Sequence, residues 1–215
     1  MTRVGRVRAE FTASWHAFLR RRTAVFFTFF FPAIIVVIFG ALVGTQPTGG
    51  GLFSEPDGYY LAGYLAVVVL FTPLSRVGST VARYRAGSRF EKLATTPLKR
   101  WEWLLAQSLV NVVVIGAAAT LLLVLTVLVT GTTVPPAPVT LLFLPFVAFG
   151  VVVFCGLGAV IGRLAGSQDG VIAASNAVAL PVLFLSETFV TPDLLPVWFR
   201  PALAFSPLTY VARGI

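Results

Sequence analysis

The chain has 215 residues, of which 57% are hydrophobic and 11% charged, with a mean hydropathy of +0.91. A soluble globular domain carries about 25% charged residues, so a soluble single-core protein is excluded and a bilayer protein is indicated. The formal charge of +8 falls in blocks between long uncharged stretches, which argues for membrane orientation and against nucleic-acid binding.

Residues 1–23 open the chain with Val4, Val7, Phe11, Trp15 and Phe18 at steps of three and four, flanked by arginines. That spacing predicts a cytoplasmic amphipathic helix suited to an anionic leaflet. It is not read as a cleaved signal, because the apolar stretch behind it is too long and has no small-residue cleavage site before Pro47. A bilayer core of about 30 Å needs roughly 20 apolar residues as helix. Uncharged segments 24–43, 58–75 and 170–186 meet or approach this length, and no charge falls in the 60 residues between Glu102 and Arg163. The proline-rich stretch 131–138 divides that run, since clustered prolines remove helical donors, leaving spans over about 103–130 and 139–162. The expected fold is an all-α polytopic membrane protein with five transmembrane helices. Lys and Arg favour the cytoplasmic side. Fourteen of the sixteen then fall inside and only Arg200 and Arg213 outside, with the N-terminus cytoplasmic.

The loop between the second and third spans, residues 83–100, is the richest soluble piece. Ser88 followed by Glu91 predicts a capping box, opening a two-turn helix that ends by Thr96 and is stopped by Pro97. Phe90, Leu93 and Ala94 share one face of that helix, with Arg89 and Lys92 on its flanks. So short a helix is marginal by itself and would be ordered by docking. The only lysines are Lys92 and Lys99, and neither sits in a phosphate-binding Gly-x-x-x-x-Gly-Lys-Ser/Thr loop. His16 is the single histidine and Cys155 the single cysteine, too few for a metal site or Ser-His-Asp chemistry; Cys155 reads as a packing residue. No catalytic site is expected.

Polar residues inside spans are candidates for a path or an interface. Gln107 and Asn111 lie four apart on one face of the third span, and Asn176 stands near the start of the fifth. Each reads either as lining a translocation path or dimer interface, or as bonding to a neighbouring helix. Pro181 is expected to kink the fifth span. Beyond it, residues 188–210 contain Pro192, Pro196, Pro201 and Pro207 among large apolar residues. That pattern predicts short helical pieces in an outer reentrant hairpin, with Trp198 near the headgroups.

Two sets of residues carry a resemblance. The first is Gly87-Ser88, Glu91-Lys-Leu93, Thr96-Pro-Leu98 and the aromatic entry at Trp101. The second is Asn176, Leu180-Pro-Val-Leu-Phe-Leu-Ser186, Phe189, Pro192, Leu195-Pro196, Trp198-Phe199 and Ser206-Pro-Leu-Thr-Tyr210. In this order they resemble the ABC-2 type permeases, the membrane subunits of one class of ABC exporters. The resemblance implies a single transmembrane domain over residues 24–215 and an ATPase-coupling role for Ser88 to Ala94 and Pro97, with Phe90, Leu93 and Ala94 expected to dock into a groove on the ATPase and Arg89, Glu91 and Lys92 at its rim. It also implies an outer gate at Pro192, Pro196, Trp198 and Tyr210. ATP and Mg would be held by a separate ABC ATPase subunit, and the chain itself would bind no cofactor. Its other partners would be a second permease copy or homologue and the lipid of the plasma membrane. Two departures are Arg83 and Arg85, where the family often has acids, and Glu187, where it often has glycine. Family members usually carry a sixth span, whereas this sequence ends five residues after Tyr210, so a last helix is expected from a longer chain or a partner. A function of a different class is a non-transporting membrane scaffold or assembly factor.

Overall fold

In a computed structural model, the residues described are 2–38, 57–130 and 143–186, with positions 201, 203, 206 and 208–210 of the last segment. Among them there are helices and no strands. The main helices are α1 (Arg3–Leu19), α2 (Arg22–Val37), α3 (Asp57–Ala86), α4 (Arg89–Ala94), α5 (Arg100–Thr130), α6 (Phe143–Leu164) and α7 (Gln168–Phe184). Three of them contain stretches long and apolar enough to cross a membrane: Leu65–Ala86, Arg100–Leu128 and Phe143–Leu164. Helix α7 is apolar but shorter. The proline-rich turn at 131–138 and the hairpin residues Pro192, Pro196 and Trp198 lie outside the described residues.

Helix α3 is the hub, packing against α5, α6 and α7. Leu65, Val69, Leu70, Leu74 and Val77 of α3 are sealed against Val147, Val151, Phe154 and Cys155 of α6, Ile115, Ala119 and Leu122 of α5, and Ala179 of α7. Lipid tails are as apolar as these side chains, so close packing rather than water exclusion holds such helices together. The closeness comes from glycines. A Cβ on Gly158 would run into the Leu74 carbonyl, and one on Gly162 into the Gly78 carbonyl. One on Gly78 would stand 2.8 Å from Val171 Cγ1 and 2.9 Å from the Gly158 oxygen. Gly158 and Gly162 form the small-xxx-small spacing that lets two helix backbones touch.

Helix α3 runs eleven residues past Ser75, where its sequence-predicted span ended. A change from apolar to charged residues ends a lipid-exposed surface but breaks no backbone hydrogen bond, so the helix carries Arg76, Arg83 and Arg85 to Ala86. Helix α1 is capped by Thr2, whose hydroxyl accepts from the Gly5 N–H at 3.3 Å. Its predicted apolar face is divided. Phe18 is buried and Phe11 and Trp15 half-buried against Val110 and Val114 of α5, whereas Val4 is exposed. Most of that stripe is therefore spent on the protein's own bundle. Helix α7 begins at Ser167, whose hydroxyl accepts from Gly170 N–H at 3.0 Å, and its helical hydrogen bonding continues past Pro181, with Leu185 N–H donating to the Pro181 carbonyl at 2.8 Å. The chain then returns to α7: Ser206 Oγ donates to the Val182 carbonyl at 3.2 Å, and Leu208 enters the main core.

Candidate functional site

The loop between α3 and α5 forms a compact cap over the ends of the bundle. Helix α4 covers Arg89–Ala94, shorter than expected, and its start corrects the sequence reading. Ser88 does not form a capping box. Its backbone lies in the left-handed region at φ 50° and ψ 26°, and its side chain makes no capping hydrogen bond. A capping residue needs extended backbone for its hydroxyl to reach the N–H two or three residues on; here the chain reverses through Gly87-Ser88, and that reversal uses the conformation. The end also differs. Thr95 Oγ1 donates to the Lys92 carbonyl and Thr96 Oγ1 to the Leu93 carbonyl, both at 2.7 Å, so the threonines close the helix before Pro97 is reached.

The expected apolar face of α4 is also divided. Phe90 and Leu93 pack inward against the main core, while Arg89, Glu91, Lys92 and Ala94 are exposed. Phe90 completes an aromatic triangle with Tyr84 of α3 and Trp103 of α5, with ring centroids 5.5 Å, 5.1 Å and 5.6 Å apart. Two of these contacts are edge-on, the geometry ring quadrupoles favour. The Arg89 guanidinium lies 5.2 Å over the Tyr84 ring. The triangle thus orders α4 without any partner. Beside it opens a cavity of about 950 Å³ where the ends of α3, α5 and α6 meet.

A second polar constellation ties α1 to the start of α5. The Arg6 guanidinium is bidentate on Glu102, with Nε 2.9 Å from Oε2 and Nη2 2.5 Å from Oε1. Oε2 also accepts the Lys99 N–H at 2.9 Å, and the Glu102 side chain is fully covered. One turn further, Gln107 Nε2 donates to Ser14 Oγ at 2.7 Å and to Glu10 Oε1 at 3.3 Å, and Ser14 Oγ donates to the same oxygen at 3.2 Å. Burial pushes the Glu10 carboxyl above its ordinary value, against the pull of the Ser14 and Gln107 hydrogen bonds. Behind α1, Arg76 lies 4.2 Å over the Phe18 ring.

Of the path or interface candidates, Gln107 is engaged with α1. Asn111 is buried and turns its amide back to the Gln107 carbonyl at 2.8 Å. Asn176 and Pro181 are exposed on α7, as is Tyr210 in the last segment. Nothing brings these five together into one site. Sequence reasoning missed Glu102 and Trp103 as anchors. Glu102 was legible only as one of two acids in a strongly basic loop, and its partner lies 96 residues away.

The chain matches the ABC-2 type transporter family over residues 6–215. It belongs to that family. It is also 39% and 40% identical, over 67 residues, to the Nodulation protein J of Rhizobium leguminosarum bv. trifolii and bv. viciae. These stretches cover 31% of this chain and 26% of each relative, so the chain aligns with about a quarter of the length of the curated relatives it matches. Membership gives the α3–α5 loop its context: it joins two long apolar helices in the membrane component of a transporter.

Proposed function

We propose that this chain is the permease subunit of an ATP-driven exporter, paired with a second copy or homologue and driven by a separate ABC ATPase through α4. The observation that carries the reading is the division of α4. Its inner residues Phe90 and Leu93 fix it to α3 and α5, while Arg89, Glu91, Lys92 and Ala94 are exposed, with Glu91 and Ala94 lining the adjoining cavity and Arg89 and Lys92 outside that lining. A helix so fastened can transmit a push to α3 and α5, the two longest helices among the described residues, which loose headgroup-bound loops cannot do. The proposed topology has five spans with the N-terminus, α1 and α4 on the cytoplasmic side of the plasma membrane, as the basic residues favour. In it α1 lies at the interface, while residues 188–210 form an outer gate. Asn176 and Pro181, exposed on α7, are the residues through which a path between two copies would run.

The test is ATP-dependent flux into inverted vesicles carrying the chain with a cognate ABC ATPase. Flux that disappears in Lys92→Glu, with insertion unchanged, supports coupling through α4. Stable association with the ATPase but no flux of any tested amphiphile would overturn the exporter reading and favour the scaffold.

A further inference from the structure

The cavity beside α4 has a chemistry that ATPase coupling does not use. Its volume is about 950 Å³, within the upper part of the roughly 300–1,000 Å³ range of small-molecule pockets. Arg85 from α3, Arg100 from α5 and Arg163 from α6 line it, and Glu91 is the only acid among its lining residues. Arg85 Nη1 donates to the backbone carbonyl of Arg163, which ties the ends of α3 and α6 across the cavity and holds one guanidinium there. The remaining wall includes Phe90, Trp103 and Leu164.

Trp103, 4% exposed, contributes apolar ring surface to that wall; its indole N–H is itself buried and is not a donor to the cavity. Three arginines call for an anion with several oxygens, and guanidinium forks match phosphate best. The apolar wall calls for hydrocarbon on the same molecule. The place agrees, because the cavity lies where the apolar stretches of α3, α5 and α6 all end, the level at which headgroups sit.

We propose that this cavity binds an anionic phospholipid, its phosphate held by Arg85, Arg100 and Arg163 and its glycerol ester region against Trp103. Basic pockets between transmembrane helices suit such headgroups. The bound lipid fills the gap between α4 and the bundle and so stiffens the lever proposed above. The leaflet it comes from rests on the orientation proposed there; the preference for a phospholipid anion does not.

The test uses the full chain purified alone in detergent, with native mass spectrometry of added phosphatidylglycerol and phosphatidylcholine in competition. Phosphatidylglycerol is expected to be retained about tenfold more strongly, given the attraction each arginine adds near a lipid surface. Equal retention overturns the proposal. So does displacement of phosphatidylglycerol by millimolar inorganic phosphate, which would make the ligand a free anion. Arg85→Gln/Arg100→Gln/Arg163→Gln should bring the two lipids to parity, whereas Arg3→Gln/Arg8→Gln, on exposed positions of α1, should keep the preference. The opposite pattern contradicts the site. Should the triple variant not fold, Arg100→Gln alone is expected to lower the preference severalfold, and an unchanged value overturns the assignment. Loss of bound lipid on adding the ATPase would assign the cavity to a protein partner instead. Because lipid retention is measured first on the chain without the ATPase, failure there leaves coupling through α4 standing, and failure of coupling leaves the lipid site standing.

Discussion

Two seams hold this molecule together by opposite means. Between α3 and α6 the backbones meet through Gly78, Gly158 and Gly162, with one polar side chain, Arg85, bonding to the Arg163 carbonyl at the end of the seam. Between α1 and α5 an apolar contact of Phe18, Phe11 and Trp15 on Val110 and Val114 is joined by charge and hydrogen bonds, through Arg6 with Glu102 and Glu10 and Ser14 with Gln107. The first fixes the core by shape and tolerates no added atom. The second depends on protonation and on single side chains, so it can be weakened without touching the bundle.

The largest effect should come from adding atoms to the glycine seam. Gly162→Leu forces α6 off α3, because its Cβ meets a carbonyl rather than a movable side chain. Overpacking typically costs about 1–3 kcal/mol, and here the backbone must also shift. The expected outcome is loss of monodisperse protein by size-exclusion chromatography; a normal profile would show that the seam is looser than described. Next comes Glu102→Gln, which removes the fully covered carboxylate that holds the half-buried Arg6 guanidinium. Trypsin is expected to cut rapidly at Arg6 and Arg8 while the α3–α6 core stays resistant, and cutting at the wild-type rate would contradict the polar seam.

Smaller losses should follow at the next turn. Ser14→Ala removes one interhelical hydrogen bond, a change of about 0.6–2 kcal/mol in a membrane protein, read as faster hydrogen exchange confined to α1. Docking of α1 should also depend on pH. Because burial raises the Glu10 carboxyl, the docked helix holds its proton more tightly than the released one. Docking therefore weakens as pH rises from the ordinary carboxyl range through the raised value. Glu10→Gln keeps an amide oxygen for Gln107 and should flatten the response of exchange, corrected for intrinsic rate, between about pH 4 and 8. At the small end, Gly116→Ala and Gly156→Ala meet nothing within 4 Å. They should be neutral or stabilising by up to about 1 kcal/mol from helix propensity, the reverse of Gly162.

Hydropathy made α5, α6 and α7 legible to within a few residues, because uncharged length is read directly from the chain. It misplaced the end of α3, since charge ends a span but not a helix. The α4 segment was legible as a short helix in a basic loop, but not which residues would face inward. Phe90 and Leu93 turn toward Tyr84 and Trp103, and that choice depends on two helices that no local pattern relates. The Ser88-to-Glu91 spacing misled for a related reason: the sharp reversal at Gly87-Ser88 puts Ser88 in the left-handed region, where a cap needs extended backbone. Gly158-x-x-x-Gly162 did carry a readable signal for close packing, whereas Arg6 with Glu102 carried none.

The most direct test of coupling through α4 uses the exposure pattern of that helix. Cys155 is fully buried, so a cysteine placed at an exposed position is the reactive one. With a cognate ABC ATPase bound, Lys92→Cys should form a short-linker crosslink to the ATPase, and Phe90→Cys, turned toward Trp103, should form little. Absence of a crosslink at position 92, or an equal yield at position 90, would contradict an ATPase seated on the outer face of α4.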